Sequence, residues 1–103
     1  CSYTVGMVDL HFEWDPRKDR ANQKKHGIGF NEAKSAFLDE FARIIPDSEH
    51  SDDEPRFVLL GMSIGLRVLV VCHCYRAADQ VIRIISARRA DQSERKEYAR
   101  YLP

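Results

Sequence analysis

The stretch RFVLLGMSIGLRVLVVCHCYRAADQVIRIISARRA, Arg56 to Ala90, holds three apolar runs separated by short turns. RFVLLGMS, RVLVVCHCYR and VIRIISAR are rich in Val, Ile, Leu and Phe, as strands are. The "IG" between the first two is a hairpin signal, and AADQ turns the chain into the third. Strands that follow one another through short turns pair antiparallel. In the middle run both alternating sets are largely apolar: Val68, Val70, Cys72 and Cys74 on one side, Leu69, Val71, His73 and Tyr75 on the other. That predicts a central strand covered on both faces. The third run carries a puzzle, because Arg83 interrupts it and Arg88 and Arg89 close it. An unpaired buried guanidinium is costly, so Arg83 needs a carboxylate within the fold or a phosphate outside it.

Upstream, DLHFEW alternates Leu10, Phe12 and Trp14 with His11 and Glu13, the period of a strand with one wet face. DPRKDRANQKKHG follows. Asp15 suits an N-cap, Pro16 the first helical position and Gly27 the stop. The only apolar side chain in this helix is Ala21, so no apolar stripe can hold it to the protein. A second short helix, NEAKSAFLD, is expected with Asn31 as its cap and Ala33, Ala36 and Phe37 on one side. ARIIP reads as a short strand, and DSEHSDDEP as an acidic loop. Asp91 and Glu94 stand at capping-box spacing before a last helix that carries Tyr98, Tyr101 and Leu102 on one face. The order is β-α-α-β-β-β-β-α. It predicts an α+β fold, a small antiparallel β-sheet with helices packed on it.

The 103 residues are 44% hydrophobic and 31% charged, which suits one globular domain. We place that domain at residues 10–103. Residues 1–9 are expected to be an N-terminal extension or tag remnant plus the start of the first strand, with Met7 a natural start. No run approaches the roughly 20 apolar residues of a membrane span, and no secretory signal pattern opens the chain. Three cysteines without a disulfide framework fit a cytoplasmic protein. Net charge is zero but unevenly spread. Residues 39–55 carry −6, residues 15–25 carry +3 and residues 67–103 carry +4. Segregated charge of this kind can offer a basic face to an anionic partner, or be mixed by folding into ordinary solvated surface.

Cys72, His73 and Cys74, with His50 or His26, invite a zinc reading. On a strand, however, the two cysteines share a face and His73 points away, and ligand cysteines more often stand two to four residues apart. The same geometry keeps Cys72 from pairing with His73 as a nucleophile and base. The basic set says more. Lys24, Lys25 and His26 end the polar helix, Arg67 and Arg76 bracket a strand, and Arg83, Arg88 and Arg89 lie in and after the next. Guanidinium forks match phosphate oxygens, and Tyr75, Tyr98 and Tyr101 offer stacking surfaces for unpaired bases.

FEWDPRKDRANQKKHGIGFNEAKSAFLD, HSDDEPRFVLLGMS, LVVCHCYR and IRIISARRA, in that order and followed by ER and EY, resemble the BrnT family of toxins. The resemblance runs from about Phe12 to Tyr98. It implies a RelE-like fold and a type II toxin that stops translation by cutting RNA. It also implies a BrnA-like ribbon-helix-helix antitoxin as partner in a hetero-oligomer, with operator DNA bound only through that antitoxin. The family's KHG corresponds to Lys25, His26 and Gly27, its ISAR arginine to Arg88, and the arginine of IRIIS to Arg83. Leu66 separates Gly65 from Arg67, a departure from the family's GR form. We expect cleavage without metal or cofactor: Lys25 or His26 moves protons, Arg83 and Arg88 hold the phosphate, and Arg67, Arg76, Arg89 and Tyr98 bind RNA. A non-catalytic module, binding nucleic acid or acting as corepressor through its antitoxin, is the alternative. Any partner is expected on a large, partly apolar area of the sheet.

Overall fold

The computed structural model describes residues 2–5, 8–47, 55–76, 80–100 and 102. The elements are β1 (Ser2–Val5), β2 (Val8–Glu13), α1 (Pro16–His26), α2 (Phe30–Ala36), β3 (Arg43–Pro46), β4 (Phe57–Met62), β5 (Val68–Arg76), β6 (Val81–Arg89) and α3 (Gln92–Ala99). The fold is α+β, and from β2 onward the elements follow the expected order. The segment read as an extension contributes a strand of its own, β1, paired antiparallel with β2. The sheet order is β1-β2-β6-β5-β4-β3. Among the described residues the pairings are antiparallel except β2 with β6, which is parallel, so the sheet is mixed. The chain leaves β2 through α1 and α2 and comes back to β6 only after the β3–β5 meander. The middle of the acidic loop, with His50, and the turn at 77–79 lie outside the described residues.

β5 is central, as both alternating sets required. Leu69 and Val71 join Leu59, Ile84 and Ala87 beneath Ile28, Phe30, Ala33 and Ala36, and Phe12, Trp14, Phe37 and Ala42 pack around this core. Gly61 lies close under the end of α2. A Cβ there would come within 2.9 Å of the Ala36 carbonyl oxygen and 3.0 Å of the Ala42 methyl.

The polar helix α1 is held by hydrogen bonds instead of a stripe. Within β6, only Val81–Arg83 pair with β2, so the β2-side edge of β6 beyond Arg83 needs other partners. The buried Asn22 supplies them: its amide donates to the Ala87 carbonyl (2.7 Å) and accepts from the Ala87 N–H (3.1 Å), as a strand neighbour would. The same amide nitrogen donates to the Ile28 carbonyl at 2.8 Å. The helix boundaries match the local signals. The Asp15 carboxylate caps Arg17 N–H, Pro16 opens the helix, and Gly27 ends it at φ 71°, where only glycine sits without strain. The expected Asn31 cap of α2 does not form. That helix is capped two residues earlier, with Gly29 at the N-cap, and its Phe30 N–H is taken by the Asp19 carboxylate of α1 at 2.9 Å. The α3 capping box of Asp91 and Glu94 is present in both directions.

Candidate functional site

Alternation along the paired strands sorts the basic residues by face. Arg76 pairs with Val81, Arg83 with Cys74 and Arg88 with Val70, so all three arginines stand on the face opposite the α1–α2 core. An irregularity between Cys72 and His73, where Ile85 is the extra residue of β6, keeps Arg83 and Arg88 on one face despite their odd spacing. Arg43 joins them, through Leu60 and Val70 in the row that ends at Arg88.

α3 is tied to both ends of that row. Glu94 accepts two hydrogen bonds from Arg88, at 2.7 and 2.8 Å, and Glu97 accepts one from Arg43 at 3.3 Å. The Arg88 fork holds the Glu94 carboxyl below its ordinary range, and Glu94 in turn raises Arg88. Arg83 has the carboxylate that its place in the strand demanded. The partner is Glu13, its register partner on β2, and the pair is half-exposed at 31% and 41%. Glu13 takes one terminal nitrogen of the guanidinium. Arg83 is therefore tethered at a surface where an anion can reach it.

The other expected residues do not converge with these. Lys25 and His26 sit in the last turn of α1, three and four residues beyond Asn22, beside the Ala87 end of β6. Ala87 is four residues along β6 from Arg83, roughly 13 Å at strand rise. Arg89 pairs with Leu69 and so faces the helix side. Arg67 is bound by Glu32, which also accepts from the Ser63 hydroxyl; the hydrogen bond from Arg67 lowers the Glu32 carboxyl, against the opposing effect of burial. Tyr98 is 4% exposed, and its hydroxyl donates to Asp39, so its ring faces protein and not a base. Burial and that carboxylate push Tyr98 up to about 12. Tyr75 packs edge-on against Phe57 and His73, and Tyr101 lies outside the described residues.

The CHC motif separates as expected. Cys72 is half-buried and Cys74 buried on the arginine face, while His73 is fully buried on the other, among Phe37, Phe57 and Tyr75. Its Nδ1 is 3.2 Å from the Val71 carbonyl, which can only accept, so Nε2 of the neutral ring accepts from the Tyr75 hydroxyl. Burial lowers the His73 pKa from the ordinary 6.5. The unfolded chain therefore binds this proton more readily than the folded one. Stability from His73 is complete above about pH 6.5 and is lost as pH falls below it. Urea unfolding is expected to weaken from about pH 7 to 5, before the lowered carboxyls of Glu32, Asp39 and Glu94 begin to protonate. A His73→Phe variant should show a flat profile over that interval; an unchanged slope would rule His73 out as its source.

His11 belongs to the arginine face, although no sequence motif marks it. The parallel β2–β6 pairing puts it opposite Val81, which stands opposite Arg76, in the row next to Glu13–Arg83–Cys74. His11 is exposed. Its period-2 place on a strand was legible, but a parallel contact across some 70 residues was not.

A profile of the family described as "Ribonuclease toxin, BrnT, of type II toxin-antitoxin system" matches residues 14–94. Among solved structures, the crystal structure of the Brucella abortus ribonuclease toxin BrnT superposes with a TM-score of 0.63. It covers 81% of this chain and 99% of its own, at 24% sequence identity. A search of curated protein sequences gave no match.

Proposed function

The chain belongs to the BrnT family of ribonuclease toxins of type II toxin–antitoxin systems, and from that premise we propose that it cleaves RNA without a metal and so inhibits translation in the cytoplasm. The observation that carries this reading is the alignment of Arg76, Arg83 and Arg88 on the face opposite the α1–α2 core. An RNA strand laid along β6 would meet Arg83 and Arg88 in turn. Cleavage by the neighbouring 2′-hydroxyl leaves a 2′,3′-cyclic phosphate. It needs a base for the 2′-proton, cations for the crowded phosphate and a proton for the 5′-oxygen. Arg83 serves as the cation at the reacting phosphate with Arg76 in support, and Arg88 holds the RNA backbone further along β6.

The partner is a BrnA-like ribbon-helix-helix antitoxin, and operator DNA is met only through it. Support for a protein partner comes from apolar side chains left in water: Leu38, Phe41, Ile44, Ile45, Ile64 and Leu66 are 36–82% exposed. They gather at β3, the end of α2 and the β4–β5 turn, so the partner area extends beyond the sheet face to its β3 margin. One observation favours the non-catalytic alternative: Arg67, Arg83 and Arg88 are each bound to a glutamate within the fold. That module would bind RNA with an affinity that falls steeply with salt and release no products.

Inducing the gene alone should stop growth and amino-acid incorporation within one doubling, and co-expression of the adjacent antitoxin gene should restore both. Undisturbed growth with the folded protein accumulating would refute the toxin reading.

A further inference from the structure

We propose that His11 is the base that takes the 2′-hydroxyl proton, at a phosphate held by Arg83 and Arg76. The inference rests on the reading of the chain as a metal-independent ribonuclease and names the residue that this reading leaves open. Three polar side chains surround Val81: His11 on one side of its row, Arg76 on the other, and Arg83 two residues further along β6. Adjacent strands lie about 4.8 Å apart, so His11 and Arg76 are separated by roughly 10 Å across Val81. Arg83 stands diagonally to His11, at roughly 7–8 Å. In the proposed complex the phosphate lies over Val81, which the register places between these three residues. Glu13, the register partner of Arg83 on β2 and two residues along that strand from His11, holds the guanidinium by one nitrogen.

The Arg88 end is less suited to the reacting phosphate, because Glu94 engages both terminal nitrogens of Arg88. Lys25 and His26 belong to that end of β6 and do not reach a phosphate at Arg83.

In the proposed step the His11 imidazole accepts the 2′-hydroxyl proton as the 2′-oxygen bonds to phosphorus. The bond from phosphorus to the 5′-oxygen breaks, and water at this exposed site protonates the departing oxygen. The products are a 2′,3′-cyclic phosphate and a 5′-hydroxyl, and His11 returns its proton to solvent.

The test compares the full-length wild type, His11→Ala and His11→Gln in EDTA on one RNA. Binding is read on the same RNA with 2′-deoxy sugars, which cannot react. Both variants should cleave about 100-fold more slowly or worse, the scale of a lost general base. Binding should stay within about twofold of wild type, and free imidazole should restore cleavage by His11→Ala but not accelerate the wild type. If the wild type cleaves and either folded variant matches it, or if imidazole restores nothing, the assignment to His11 is wrong while the ribonuclease reading stands. A wild type that binds RNA and leaves it whole overturns both.

Discussion

An Asn22→Ala variant is expected to unfold with about 3–5 kcal/mol less free energy than the wild type, the summed cost of leaving several buried backbone groups without partners. Three hydrogen bonds disappear together: those to the carbonyls of Ala87 and Ile28 and from the Ala87 N–H. Asn22 is 7% exposed, so water cannot replace them without opening the edge of β6. Asn22→Asp should be at least as damaging. It keeps an acceptor for the Ala87 N–H but turns a second oxygen, and a charge, toward two carbonyls. Urea unfolding of both variants checks this. A loss below 1 kcal/mol would mean that α1 is held by something other than Asn22.

The second large effect is on activity. An Arg83→Ala, Arg88→Ala double variant should cut RNA about a thousandfold more slowly than the wild type, because Arg83 supplies charge where the phosphate becomes crowded and Arg88 holds the strand further along β6. The fold should survive. Both ion pairs are part-exposed, Arg83 with Glu13 and Arg88 with Glu94, and pairs of that kind contribute at most about 1 kcal/mol each. A shift of a few degrees in melting temperature with a thousandfold loss of cleavage is therefore the signature of a functional role. Unchanged cleavage by the folded double variant would leave these arginines with a structural role only, bracing β6 against β2 and α3.

The contrast between α1 and β2 shows what the sequence makes legible. Asp15, Pro16 and Gly27 act within their own turns, so the limits of α1 follow from local chemistry. At the start of α2 the Phe30 N–H is taken by Asp19, eleven residues upstream on another helix, and no local rule selects it over Asn31. The central place of β5 was legible because burial on both faces leaves both alternating sets apolar. The parallel docking of β2 on β6 was not, since nothing in DLHFEW names its neighbour. That pairing decides two matters at the candidate site: it gives Arg83 its carboxylate and brings His11 beside it. The basic residues were found as a set, but their division between two faces depends on the register and on one extra residue in β6. Lys25 and His26, adjacent to the arginines in no strand pairing, looked equivalent to them only while the chain was a line of letters.

The most direct test of the central claim is to incubate the purified protein with a defined RNA in EDTA and identify the chemical ends of the fragments. Cleavage at full rate is expected, with a 2′,3′-cyclic phosphate on one fragment and a 5′-hydroxyl on the other. Cleavage that stops in EDTA, or fragments ending in a 3′-hydroxyl and a 5′-phosphate, would contradict that claim.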